Sequence, residues 1–271
     1  MVGVFDLGSN SFISLVVNGR EELHEEVVVT QAVSHVKNGK FTDCSALKKT
    51  FDSMLEKVYS FTQNVHVFGT AVFRETENGK WCFEEIKGGL PGRILSGEEE
   101  ARYSYLSVLW DEEIGVEDPL VFDLGGGSLE VVGAERVVSL PLGTRKVGRV
   151  SRENLRDVVD FVKSRLPRFF GKPVGIGGTF VTIAAFKVGE WNLRAVHGAV
   201  LKKRDVQDLI DLIIDKTPEE IDSLPFVPEG RGRTLKEGCA IALAIIEEFG
   251  PLVVSRRGYR YALAWELEGA Q

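Results

Sequence analysis

The feature that most constrains this chain is an internal repeat: VFDLGSNSFISLVV, starting at Val4, returns as VFDLGGGSLEVV, starting at Val121. Each copy reads as an apolar strand ending in aspartate, a turn of glycine, serine or asparagine, and a second apolar strand. Two copies of one strand-turn-strand unit in 271 residues imply two related half-molecules. A pseudo-twofold duplication is expected to set Asp6 and Asp123 face to face across a cleft. Two carboxylates about 4 Å apart repel by roughly 4 kcal/mol at an effective dielectric of 20, so their convergence calls for a cation or a proton between them. The glycine turns would offer backbone N–H groups to phosphate oxygens, and Mg²⁺ is the natural cation for such a site. The chemistry implied is phosphoryl transfer.

Three turns are expected to hold phosphate. Gly125-Gly126-Gly127-Ser128 is the strongest, because a hairpin seldom needs three glycines and missing Cβ atoms let the backbone approach a ligand closely. Gly8-Ser9-Asn10-Ser11 repeats it in the first half, and Gly177-Gly178-Thr179 opens a helix in the second. Glu130, two residues after Ser128, falls on the same side of its strand and joins Asp6 and Asp123 as an expected metal ligand. Ser96 to Glu99 has capping-box form, so Glu98 and Glu99 read as helix-start charges, whereas Glu100 lies beyond the box and is expected to reach the cleft. Arg74, in GTAVFRETENG, follows a strand and suits bidentate phosphate binding. His197 reads as structural, since no serine or cysteine nucleophile signature accompanies it.

The spacing of apolar residues predicts strands at Val2–Val17 (a hairpin), Glu26–Thr30 and Val65–Phe68, with a helix over Ser45–Phe61 and another from Gly97 to Trp110. Gly115–Pro119 is the expected connector, and the hairpin pattern restarts at Leu120. Helices follow over Ser151–Leu166, Asp205–Ile214 and Gly238–Phe249, a further one opens at Thr217, and strands are expected at Pro173–Ile176 and Leu252–Val254. The domains are therefore expected at 1–118 and 119–271, with the last helix, about 258–271, packing back on the first domain.

Composition narrows the class. With 44% hydrophobic residues the chain can bury a large core, and its longest apolar run, Cys239–Ile246, is too short to span a bilayer. A soluble cytoplasmic protein is expected. The formal net charge of −7 argues against a duplex nucleic-acid binder; of Lys202, Lys203, Arg204, Arg231, Arg233, Arg256, Arg257 and Arg260, most are expected on a solvated surface and at most two or three along the track of a polyanion. Three scattered cysteines, Cys44, Cys82 and Cys239, suggest buried reduced thiols.

In this order, FDLGSNSF, GTAVFRETENG, ILSGEEEARYSYLSV, VFDLGGGSLEVV, SLPLGTRKV, GIGGTFVTIA, VHG and VSRRGYRYAL resemble the segments of the exopolyphosphatase/guanosine pentaphosphate phosphatase family. The resemblance implies an α/β fold of the actin-like, sugar-kinase-like kind, with two ribonuclease-H-like domains around a cleft. It implies hydrolysis of a phosphoanhydride bond in polyphosphate or guanosine pentaphosphate. Glu100 is similar to the family's water-orienting glutamate, Asp123 and Glu130 to its second acidic pair, Asp6 to its first acidic position, and Arg74 to its phosphate-contacting arginine. Where the family usually carries Leu-Arg-Glu-Gly, this chain has Tyr259-Arg260-Tyr261-Ala262. A kinase of the same superfold and a weakly catalytic alarmone sensor are the alternatives, and a homodimer is left open.

Overall fold

The computed structural model describes residues 1–269 and separates them into two compact units. The first unit comprises Met1–Tyr103 together with the closing segment from Tyr259, and the second comprises Ser104–Gly258. The change of unit thus falls at Tyr103/Ser104, whereas the connector at Gly115–Pro119 leads one to expect it at 118/119. Residues 270 and 271 of the expected second domain and last helix lie outside the described residues.

The first unit opens with β1 (Val2–Leu7), β2 (Ser11–Asn18) and β3 (Glu21–Val29), an antiparallel meander. A small ribbon, β4 (Val36–Lys37) with β5 (Lys40–Phe41), leads to α1 (Ser45–Tyr59) and β6 (Val65–Gly69). Then come α2 (Ala71–Glu75), α3 (Gly79–Lys87), β7 (Gly92–Ile94) and α4 (Gly97–Leu109), the last running through the change of unit. The sheet order is β3-β2-β1-β6-β7, with β6 and β7 parallel to the central β1. All six residues of β1 are buried, as a central strand covered on both faces requires. Strand β3 begins five residues before the expected Glu26, because its glutamate-rich first half hides the strand pattern at a sheet edge.

The second unit repeats the plan. β8 (Pro119–Leu124), β9 (Leu129–Val132) and β10 (Val137–Leu140) form the meander, followed by α5 (Leu155–Lys163), β11 (Lys172–Ile176) and α6 (Gly178–Val188). Next are α7 (Leu193–Val196), β12 (Val200–Leu201), α8 (Lys203–Ile213), α9 (Pro218–Asp222), α10 (Leu235–Phe249) and β13 (Leu252–Ser255). The order β10-β9-β8-β11-β13-β12 reproduces that of the first sheet with one strand added at the edge. Helix α10 is buried along almost its whole length, which explains a sequence apolar on every face. The capping box at Thr217 is formed with both of its hydrogen bonds, Thr217 N–H to Glu220 at 2.6 Å and Glu220 N–H to the Thr217 hydroxyl at 3.2 Å.

The closing helix, α11 (Tyr259–Glu268), packs against β1 and β2 of the first unit. Each unit has its own apolar core, one around Phe5, Phe51, Phe73 and Phe83, the other around Phe122, Phe180, Leu235 and Ile241.

The expectation of three reduced thiols is corrected. Cys44, just before α1, and Cys82, in α3, form a disulfide with Cα atoms 5.9 Å apart, while Cys239 is buried and free. Cysteine spacing reports only on neighbours in sequence, and these two are 38 residues apart until α3 packs on α1.

Candidate functional site

The two repeated turns close with one and the same backbone bond. Gly8 N–H donates to the Ser11 carbonyl and Gly125 N–H to the Ser128 carbonyl, each at 3.0 Å. In the second turn the carbonyls of Gly125 and Gly126 are taken by the N–H groups of Thr144 and Arg145, at 3.1 and 2.9 Å. The N–H groups of Gly126, Gly127 and Ser128 meet no backbone acceptor among the described residues. Carbonyls tied back and N–H groups left open make a concavity suited to an anion.

The glycines of this turn serve space rather than conformation, since none of Gly125, Gly126 and Gly127 has positive φ. A Cβ on Gly126 would stand 2.7 Å from Nε and 2.8 Å from a terminal nitrogen of Arg145, so the missing methyl is where the guanidinium lies. From the other side, a Cβ on Gly143 would come within 2.3–2.5 Å of the backbone of Gly126, Gly127 and Ser128. Arg145 therefore joins the expected phosphate-binding turn as a residue that sequence reading missed. It lies in the segment SLPLGTRKV, and nothing local in that segment marks its arginine as lying on a turn about twenty residues earlier.

The third turn is built in the same way. Gly177 has φ +101°, which glycine alone adopts easily, and a Cβ there would also meet the Leu124 carbonyl at 2.9 Å and an Asp123 oxygen at 3.7 Å. A Cβ on Gly178 would fall 2.0 Å from a guanidinium nitrogen of Arg231. That guanidinium lies against the first turn of α6, has no carboxylate within ion-pair distance among the described residues, and is made less basic by burial. Thr179 is buried with its hydroxyl unpartnered. Of the basic residues expected to serve a polyanion, Arg231 is placed for it. Lys203 pairs with Glu247 at 2.7 Å, Arg257 is locked to Asp111 and Glu113 at 2.5 and 2.6 Å, and Arg260 is buried against Glu25.

Asp123 and Glu130 are directly opposed on β8 and β9, so their side chains share one face of the sheet. Ser104 donates to Asp123 at 3.0 Å and Ser139, opposite Glu130 on β10, donates to Glu130 at 2.9 Å. The equivalent pair in the first unit is Asp6 and Ile13, so the duplication has kept an acidic pair in one half only. Among the described residues no three His, Cys, Asp or Glu side chains gather to hold a metal, and the second unit brings together two of the three expected ligands. Two carboxylates nevertheless fit Mg²⁺, which usually retains several waters and takes only one or two carboxylates beside substrate phosphates.

In the first unit, Asp6 is 8% exposed at the end of β1. Burial raises its pKa, and the hydroxyl of Tyr259 and the charge of Arg260 offset part of that rise. The capping box at the start of α4 is formed, with Ser96 N–H to Glu99 at 2.9 Å and Glu99 N–H to the Ser96 hydroxyl at 3.1 Å, and Glu99 is also paired with Arg93. Glu100 is left outside it and lies 3.3 Å from Arg74, whose guanidinium also donates to the Leu95 carbonyl at 2.7 Å. In the first turn the Ser9 carbonyl accepts from Val33 N–H, as that of its counterpart Gly126 does from Arg145, and the Asn10 carbonyl also accepts, from Thr30 and Gln31. His197 lies in a buried charged cluster of the second unit, 3.2 Å from Asp111 and 3.5 Å from Glu113.

The profile described as "Ppx/GppA phosphatase family" matches residues 37–260. Exopolyphosphatase 1 of Mycobacterium tuberculosis is 29% identical over 173 residues, covering 58% of this chain and 49% of that protein. The guanosine-5′-triphosphate,3′-diphosphate pyrophosphatase of Aeromonas hydrophila is 31% identical over 163 residues, covering 56% of this chain and 32% of that protein. The chain thus spans about half the length of the first of these relatives and about a third of the second. The crystal structure of the Aquifex aeolicus Ppx/GppA family member superimposes with a TM-score of 0.85 at 24% identity, covering 98% of this chain and 96% of that one. The fold is that of the Aquifex aeolicus family member, with a mixed parallel and antiparallel sheet in each unit. No helix among the described residues is long and apolar enough to cross a membrane.

Proposed function

Because the chain belongs to the Ppx/GppA phosphatase family, we propose that it hydrolyses a phosphoanhydride bond, releasing terminal orthophosphate from polyphosphate or the 5′-terminal phosphate of guanosine pentaphosphate. The observation that carries the reading is the turn at Gly125–Ser128, where open N–H groups, the Arg145 guanidinium and the opposed carboxylates Asp123 and Glu130 adjoin one another. A phosphate ester or anhydride is the ligand that uses both halves of such an arrangement: its oxygens suit the N–H groups and guanidinium, and a cation it carries suits the carboxylates.

In this reading the Gly125–Ser128 turn and Arg145 hold the phosphoryl group to be transferred. The Gly177–Thr179 turn and Arg231 hold a neighbouring phosphate. Asp123 and Glu130 would hold Mg²⁺, which when bound supplies charge neutralisation on the phosphate oxygens. Glu100 is assigned to the attacking water, with Arg74 fixing its carboxylate at 3.3 Å. Water attacks phosphorus in line as the bridging oxygen leaves, and Glu100 takes the proton. Positioning and charge complementarity carry most of the rate in such a reaction.

The test is a phosphate-release assay on short polyphosphate, long polyphosphate and guanosine pentaphosphate, with and without Mg²⁺. Release without any acceptor substrate is expected, which a kinase would not give, and tight binding with negligible turnover would indicate a sensor instead. Glu100→Gln preserves shape and removes the base, so turnover is expected to fall by about 10²–10⁴-fold. Glu99→Gln keeps the capping box and is expected to leave turnover unchanged. Equal, small effects of the two substitutions on an active protein would remove Glu100 from the reaction.

A further inference from the structure

The loop between α5 and β11 holds an aromatic ring out in solvent. Its sequence, SRLPRFFGKP over 164–173, sets Phe169 beside Phe170, and the two have opposite surroundings. Phe169 packs on the β9–β10 turn, where a Cβ on Gly133 would meet its ring at 3.1–3.3 Å, and the Arg136 guanidinium lies 5.3 Å from the ring centre. Gly171, on the other side, has φ +129° and presses against the start of β8, where a Cβ would stand 3.0 Å from the Asp118 carbonyl oxygen and 3.2 Å from the Leu120 nitrogen. Both neighbours of Phe170 are thus anchored, and Phe170 itself is 94% exposed. A lone exposed apolar side chain is common on protein surfaces. One held out by two anchored neighbours is specified by the fold.

The ring is set among cations. Arg165, Arg168 and Lys172 are exposed on the same loop, and no Asp or Glu occurs from Phe161 to Lys187. None of these three, nor Arg136, has a carboxylate within ion-pair distance among the described residues. Glu135 beside Arg136 and Asp118 before β8 are the acids that adjoin the loop in the fold, and the cations outnumber them. At physiological salt, charges are screened over about 8 Å, so this local excess outweighs the chain's net −7 for anything that approaches the loop. The patch lies at the end of the sheet away from the candidate phosphate turns. β8 and β11 run in parallel from it toward Gly125 and Gly177, and β9 returns to it from Ser128. The five steps along β8, at about 3.3 Å each, put roughly 17 Å between the two ends, so these cations do not serve the phosphate turns.

A single-stranded nucleic acid would need exposed ring faces on which to stack. Two of the rings here are already covered, Phe169 by Arg136 and Phe161 by Arg165, whose guanidinium is 3.8 Å from the ring centre. What remains is one apolar tip flanked by guanidinium and ammonium groups. An anionic bilayer surface takes that shape and charge, the ring entering the acyl boundary while the cations stay among the headgroup phosphates. We propose that the 164–172 loop is a peripheral membrane contact, which docks the second unit on anionic phospholipid through Phe170, Arg165, Arg168 and Lys172. One ring and three cations give weak, reversible binding. The end of the sheet that carries the phosphate turns then points away from the bilayer. Neither the contact nor its test depends on the reaction at that other end.

Flotation of the full chain with vesicles of phosphatidylcholine and phosphatidylserine, beside vesicles of phosphatidylcholine alone, reads the contact directly. Partition onto the phosphatidylserine vesicles is expected, with release as salt is raised and little binding to phosphatidylcholine alone. Phe170→Ala should lower the partition coefficient about ten-fold or more, and Arg168→Gln about five-fold. Both side chains are exposed, so the melting temperature should stay the same in either variant. Phe170→Trp should keep the binding, because tryptophan suits the membrane interface. Equal partition onto the two kinds of vesicle, or binding that Phe170→Ala leaves intact, would overturn the proposal. So would retention of a single-stranded oligonucleotide in place of the vesicles, lost in both Phe170→Ala and Arg168→Gln, which would make the patch a nucleic-acid surface.

Discussion

Gly126→Ala separates space from conformation at the candidate phosphate site. Gly126 does not occupy the left-handed region, so alanine is compatible with its backbone, and the smaller entropy of the unfolded chain should add about 0.4–1 kcal/mol of stability. The added Cβ would, however, stand 2.7–3.0 Å from Nε, a terminal nitrogen and Cζ of Arg145. Those atoms are the end of a flexible, exposed side chain, so the guanidinium moves and the turn does not. Losing one charge-assisted hydrogen bond of about 1.5–3 kcal/mol should weaken binding of a short polyphosphate by roughly 10- to 150-fold. Arg145→Ala should cause a similar loss, and the double variant should bind no worse than either single one, because both act through the same group. Calorimetric titration and thermal unfolding of the four proteins decide the case. Additive losses in the double variant, or a lowered melting temperature with normal affinity in Gly126→Ala, would refute the argument. Gly143→Ala is the contrasting case: its Cβ would press on the turn backbone at 2.3–2.5 Å, so stability, by about 1–3 kcal/mol, and affinity should fall together.

Two further predictions concern the scaffold. Glu247 is pushed up by burial but held down more strongly by hydrogen bonds from Lys203, Lys163 and Arg156, to about 2 from an ordinary 4.5. A carboxylate depressed in this way stabilises the fold above pH 4.5 and loses that contribution as pH falls toward 2, so Glu247→Gln should flatten the pH dependence of the urea midpoint across that window. An unchanged slope would show that the three cations contribute nothing specific. The Cys44–Cys82 disulfide closes a loop of 38 residues, for which chain entropy gives about 4 kcal/mol. Reduction should lower the melting temperature, and Cys44→Ser should abolish that sensitivity. Equal melting temperatures with and without reductant would show that the disulfide contributes little.

Much of the fold was legible because its signals are local. The repeated strand-turn-strand pattern, the helical spacing of Leu47, Phe51, Met54 and Val58, and the capping boxes at Ser96 and Thr217 depend on residues a few positions apart, and each has its expected form. The strand β3 was legible only in part, because edge strands need not alternate apolar with polar residues. At the candidate site, the register that opposes Glu130 to Asp123 follows from a four-residue turn, so the pair could be read from spacing.

What the sequence determined by itself is the duplicated scaffold and the acidic and glycine-rich positions at its strand ends, because backbone period and turn chemistry are short-range properties. Only the tertiary structure decided which side chains furnish those turns. Arg145 lies on Gly126 and Arg231 on Gly178, from segments about 20 and 50 residues downstream. Tyr259 reaches Asp6 because the closing helix returns to the first unit, and Cys44 meets Cys82 because α3 packs on α1. A guanidinium, a phenol or a thiol carries no mark in sequence of what it will touch, since that partner is chosen by how the helices and sheets bury their apolar faces.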